Sequence, residues 1–273
     1  MSSQSRIASL IHSIFVNRYL MSQLAHRDFV SRFRGGVLGS GWALFNPLLM
    51  LGLYSFVFVV VFKMRWGAGA TGDTHGNFVV LLFSGLIVHT FFAENVTRAP
   101  HLIVSNVSYV KKITFPLELL SLLPIYGASI NFGIGLVLIA ALLFSIQGSI
   151  PWTILLAPIV FAPFALLVAG LNYFLSATGV YLRDLSQIMG TIITVAMFAS
   201  PVLYPLENVP EPYRNFLYLN PLTLVVEQLR RVAILGDQPD WVAMMAYTVV
   251  AAVIFCLGFL WFEATRRGFS DAL

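Results

Sequence analysis

Residues Trp42–Phe62 carry no charge across 21 positions, and this run constrains the chain more than anything else in it. At about 1.5 Å rise per residue, it covers the roughly 30 Å hydrocarbon core of a bilayer. The approach to it is basic and broken by glycine, with Arg27, Arg32 and Arg34 set among Phe29, Val30 and Phe33, and Trp42 at the junction. A cationic amphipathic segment leading through a tryptophan into an uncharged run predicts a helix lying on the cytoplasmic surface that then enters the membrane. Arg27–Phe62 is the stretch around which the rest is expected to organise.

The composition extends this reading to the whole chain. Hydrophobic residues make up 58% and charged residues 10%, with a mean hydropathy of +0.84. A soluble domain carries about 25% charged residues, so this chain has too little polar surface to cover itself in water. The net charge of +4 does not point to nucleic acid, because the basic residues stand at the ends of apolar runs. Cys256 is the only cysteine, so neither a disulfide within the chain nor a cysteine metal site is available. The apolar part of residues 1–40 is interrupted by Ser9, His12 and Ser13, which argues against a cleaved signal peptide.

The pattern predicts an all-α integral membrane protein with a first segment (1–40) that lies at the interface and a six-helix region (41–273). In the first segment Ile7, Leu10, Ile11, Ile14, Met21 and Leu24 recur at helical spacing. The expected spans are Trp42–Phe62, Phe78–Ala93, Leu117–Ile146, Trp152–Tyr181, Leu185–Leu203 and Trp241–Phe262. Pro124, Pro158 and Pro163 offer kink sites. Between the second and third spans, 94–116 reads as a polar loop containing Arg98, Lys111 and Lys112. The proline-rich segment 204–240 reads as two short amphipathic helices, Pro212–Leu219 and Pro221–Leu235, re-entering from the outer face. With the N-terminus inside, eleven lysines and arginines fall on inner segments and five on outer ones, which puts both termini in the cytoplasm.

Several chemistries lack their residues. Gly67–Gly72 reads GAGATG, matching a dinucleotide fingerprint, but it follows a membrane run rather than a strand and is expected to be a loop. None of Lys63, Lys111 and Lys112 follows a glycine, so no ATP-binding P-loop exists. No metal-ligand spacing and no nucleophile elbow occur, so no catalytic or metal residue is expected. Glu118 reads as snorkelling from a span end, and His89 as a satisfied polar contact within a span. Aromatic and hydroxyl faces remain. Tyr54, Phe58 and Phe62 recur every four residues, and Thr191, Thr194 and Phe198 share a face of the fifth span. Such faces suit sugar rings, and suit packing or lipid contact equally.

The stretches RDFVSRFRGGVLGSGWALFNPLL, ENVTRAPHLIVSNVSYVKKITFPLELL, YLRDL, SPVLYPLENVPEPYR and LNPLTLVVEQLRRVAILGDQPDW occur in an order that resembles the membrane subunit of ABC-2-type polysaccharide exporters, nearest the O-antigen and teichoic acid branch. The resemblance implies a homodimer in the bacterial cytoplasmic membrane, joined to two copies of a separate ATPase subunit that holds ATP and Mg. It implies a polyprenyl-diphosphate-linked glycan as substrate. It further implies an ATPase-facing surface at Glu94, Asn95, Arg98, Lys111 and Lys112, and a channel lined by Tyr54, Phe58, Phe62, Thr191, Thr194 and Phe198. Arg27, Arg32 and Arg34 would meet the lipid diphosphate or anchor to anionic membrane lipids. Arg183 and Asp184 fall where the family keeps an Arg-Asp pair, and a local ion pair joining two helix ends fits equally. Two other functions fit the pattern: an ABC-2 efflux permease for a small amphiphile or lipo-oligosaccharide, and a membrane-embedded envelope glycosyl- or acyltransferase.

Overall fold

The computed structural model describes residues 16–33, 36, 38–62, 75–110 and 116–273. Among them there is no strand. Nine helices matter here: α1 (Arg18–Phe33), α2 (Trp42–Ser55), α3 (His75–Arg98), α4 (Leu123–Gln147), α5 (Ala157–Tyr181), α6 (Leu185–Phe198), α7 (Glu211–Leu217), α8 (Pro221–Arg230) and α9 (Trp241–Thr265). A π turn, Phe56–Val61, prolongs α2, and a second, Arg231–Leu235, prolongs α8. The GAGATG loop, Arg34, Lys111, Lys112 and the periodic residues Ile7 to Ile14 lie outside the described residues.

Among the described residues, four apolar stretches are long enough to cross a membrane: Phe78–His101, Leu117–Gln147, Trp152–Tyr181 and Trp241–Gly268. The other two expected spans are shorter, Trp42–Phe58 and Leu185–Phe198. Exposed Trp241 and Trp261 mark the two ends of α9, and Val242, Met245, Val249, Val253 and Leu257 between them are exposed. Twenty residues at 1.5 Å each separate the rings by about 30 Å, the spacing of two aromatic belts. α9 therefore carries an open apolar face of membrane-spanning length.

The centre of the bundle is α3, not the stretch Arg27–Phe62. Phe78, Val80, Leu82, Phe83, Val88 and Phe91 are all buried, and α3 packs on α4, α5, α6 and α8. A helix that is apolar on every side belongs inside. By contrast α2 buries only Ala43 and Leu51. α5 and α9 make the tightest crossing. A Cβ at Gly258 would stand 2.1 Å from the Gly170 carbonyl oxygen, and one at Gly170 2.5 Å from the Phe255 Cα, so only glycine permits this approach.

Several expectations are corrected. The second span does not stop at Ala93: α3 continues through Arg98 and a 3-10 turn reaches His101, so Glu94, Asn95 and Arg98 are helical residues rather than loop residues. Pro124 and Pro158 occupy the first turns of α4 and α5, where a missing N–H costs nothing, and Pro163 alone of the three is inside a helix. Glu118 does not snorkel. It is 8% exposed and accepts from Arg266 Nη1 at 3.2 Å, which fastens the start of the third span to the basic tail. The two short helices before α9 are present as α7 and α8, the second carried to Leu235 by its π turn.

Candidate functional site

Polar side chains gather at the two ends of the bundle. At the basic end, where α1 meets the end of α3, Asp28 takes both arms of Arg98, Nη2 to Oδ1 at 2.7 Å and Nη1 to Oδ2 at 3.0 Å. The same carboxylate accepts from Arg32 Nη2 at 3.0 Å, one helical turn along α1. Arg32 Nη1 also pairs with Glu94, whose other oxygen accepts from Asn131 on α4 at 3.1 Å. Burial acts to raise the Asp28 pKa, but the hydrogen bonds and charges of Arg98 and then Arg32 hold it below the usual carboxylate value. Arg32 is pushed below the usual arginine value by burial and by the Arg98 charge, against the pull of Asp28. Asn95, 0% exposed, donates to the Phe91 carbonyl and accepts from Asn172 of α5 at 3.1 Å.

Of the residues expected to face an ATPase, Glu94, Asn95 and Arg98 therefore turn inward, and they fasten α3 to α1, α4 and α5. Arg32 is committed in the same way, whereas Arg27 is exposed and donates to the Tyr109 hydroxyl at 2.7 Å. Arg27, Ser31, Arg98, His101 and Tyr109 help line a cavity of about 510 Å³ between α1 and the turns after α3. Asp28, Tyr109, Asn131 and Asn172 were not foreseen as members of this site. Only the Asp28–Arg32 spacing of four residues signals a pair in the sequence.

Arg183 and Asp184 are exposed, and the ion pairs among the described residues include none between them. Their main chain turns the corner from α5 into α6: the Asp184 carbonyl accepts from Gln187, and the Arg183 carbonyl from the Ser186 hydroxyl. The expected local ion pair is replaced by this turn.

The two shorter apolar helices, α2 and α6, rest on α3 and leave broad faces open. Tyr54 stacks on Phe58 at 6.2 Å, and Phe58 tilts against Phe78 of α3 at 6.4 Å, so this part of the aromatic row is half-buried. Phe62, at its end, is 63% exposed. On α6, Thr191, Thr194 and Phe198 are all exposed, and Thr194 Oγ1 donates to the Gly190 carbonyl at 3.0 Å. His89 Nε2 donates from α3 to the Ile193 carbonyl of α6 at 3.3 Å.

At the opposite end, α7 and α8 form a rim. Arg230 is 3% exposed and donates to the Leu81 carbonyl of α3, to the Val202 carbonyl just after α6, and to Glu227 Oε1 at 3.0 Å. Burial lowers its pKa to about 10, with Glu227 opposing, so it stays charged at neutral pH. Gly85 makes room, since a Cβ there would stand 2.9 Å from Val202 and 3.3 Å from the guanidinium. Among the described residues, no group of three or more His, Cys, Asp or Glu side chains could hold a metal ion.

The profile of the ABC-2 type transporter family matches residues 19–234, from α1 to the end of the rim. The chain belongs to the ABC-2 type transporter family. The chain is 27% identical to the O-antigen export system permease protein RfbA of Myxococcus xanthus, over 97% of this chain and 99% of the relative. It is 22% identical to a protein of the same description from Klebsiella pneumoniae, over 93% and 95% of the two chains. A second such protein from Klebsiella pneumoniae is 24% identical over 80% and 81%. In this ABC-2 protein the matched region includes both polar clusters and both open helix faces.

Proposed function

We propose that this chain is the permease subunit of an ABC exporter that moves a polyprenyl-diphosphate-linked glycan, of the O-antigen type, across the bacterial cytoplasmic membrane. The observation that carries this reading is the end-to-end likeness to O-antigen export permeases, 97% of this chain against 99% of the Myxococcus xanthus relative. The open faces of α2 and α6 support a homodimer in which these faces enclose the path. α2 and α6 complete six crossings with both termini in the cytoplasm, a reading supported by the excess of basic residues at that end. A separate ATPase subunit, two copies per dimer, supplies ATP and Mg chemistry. It docks on the turns after α3 and on Lys111 and Lys112, while Glu94, Asn95 and Arg98 hold the end of α3 to the bundle. Arg27 is the basic residue of α1 best placed to meet a lipid diphosphate, because Arg32 is engaged by Asp28 and Glu94.

Deletion of the gene tests the reading. Long lipid-linked glycan should accumulate on the cytoplasmic face while surface glycan disappears. Normal surface glycan, with altered sensitivity to small amphiphiles, would make the chain an efflux permease instead.

A further inference from the structure

The end of α6 raises a question of main-chain bookkeeping. A helix leaves its last four carbonyls without partners inside the helix, and at membrane depth they need donors. All four of α6 are served. The Val195 carbonyl accepts from the Ala199 N–H at 2.8 Å, that of Met197 from the Ser200 hydroxyl at 3.1 Å, and that of Phe198 from the Tyr204 hydroxyl at 2.7 Å. These three donors are local in sequence. The fourth is not: the Ala196 carbonyl accepts from Asn220 Nδ2 at 2.8 Å, and the same nitrogen reaches the Ala199 carbonyl at 3.0 Å.

Asn220 is also the N-cap of α8, its Oδ1 accepting from the Leu222 N–H at 3.0 Å. One amide thus closes the C-terminus of α6 and the N-terminus of α8. Its orientation is fixed chemically, because the two α6 groups can only accept and the Leu222 N–H can only donate. At its other end α8 is fastened through Arg230 to Val202, just beyond α6. The rim helix is therefore held at both ends to the last turn of α6 and the residues after it.

We infer that Asn220 is a positioning residue that locks the rim helix α8 to α6, so that the two move as one body during transport. The inference rests on the reading of α6 as a wall of the path. It assigns the side chain a role beyond capping α8, which would be capped equally well by Asp or Ser: they accept from an N–H but offer α6 no amide donor. Asp is the sharper change, since an ionised carboxylate would face two carbonyls.

The test uses spin labels at Val195 on α6 and Leu224 on α8, with Cys256→Ser, in the spin-diluted full-length protein and its ATPase complex in nanodiscs. In the native protein the label distance should be narrow and unchanged between nucleotide-free and nucleotide-bound states. In Asn220→Asp and Asn220→Ser it should broaden, with assembly retained, ATP hydrolysis continuing and glycan export lost. A native distance that changes with nucleotide overturns the inference even if neither variant folds. A narrow distance in both variants also overturns it, as does broadening with export at the native level. The distances need no glycan, so a wrong substrate assignment leaves this test intact and shows itself in the gene deletion alone.

Discussion

The two ends of the bundle solve one problem with different chemistry. At the basic end four charged side chains from two helices, Asp28, Arg32, Glu94 and Arg98, neutralise one another in a half-exposed network. At the rim a buried cation, Arg230, pairs with Glu227 and binds the Leu81 and Val202 main-chain carbonyls, and a neutral amide, Asn220, joins α6 to α8. Near water, opposite charges can be paired at modest cost. Deeper, desolvation penalises every added charge, and oriented amides and carbonyls take over. The basic end is thus held by Coulomb attraction, and the rim by geometry.

Removing Arg230 should be the most damaging change of the two ends. Arg230→Leu leaves Glu227 without its ion-pair partner and removes a donor from the Leu81 and Val202 carbonyls, and should cost about 3–5 kcal/mol in thermal or denaturant unfolding of the detergent-solubilised protein. Arg230→Lys should recover only part, lacking the planar fork. A cost no larger than at the basic end would erase the contrast. There, a double-mutant cycle of Asp28→Asn and Arg98→Gln should return a coupling of about 0.5–3 kcal/mol, and a value near zero would mean that the network is only a surface decoration. The pair should also weaken in high salt, whereas the Arg230 contribution should not.

The smallest effect is in pH, where the two ends should have opposite signs. Asp28 has a lowered folded pKa, so its stabilisation is complete above its ordinary value near 3.8 and is lost as pH falls through the lowered one. Burial raises the pKa of Glu227 despite Arg230, so the folded state binds that proton more tightly and the rim gains stability as pH falls toward the ordinary value of 4.5. Melting temperatures of Asp28→Asn and Glu227→Gln against the native protein, from neutral solution to below pH 3.8, should show these opposite trends. Parallel curves would refute it.

The long uncharged runs made α4, α5 and α9 legible, because hydropathy is a local signal. The extension of α3 was not legible, since charge at Glu94 and Arg98 reads as loop until their partners are known. Those partners, Arg32 and Asp28, lie 62 and 70 residues away. For the same reason the bonds by which Glu94, Asn95 and Arg98 fasten α3 to other helices were not legible. The Asn-Pro pair at 220–221 does announce a helix start. Its second role at the end of α6 depends on a contact 24 residues back, which no local pattern encodes. Arg183 and Asp184 show the converse error: adjacent opposite charges looked like a pair, and the chain used their backbone instead.

The length of α6 has one more consequence. Its 14 residues reach about 21 Å, some 9 Å short of the span between the α9 tryptophans. A lipid shell matched to α9 would be too thick beside α6, and the bilayer would have to thin there at a cost for each ångström. Hydrophobic mismatch thus disfavours lipid on the very face that a second subunit would cover, and thicker bilayers should drive the two subunits together.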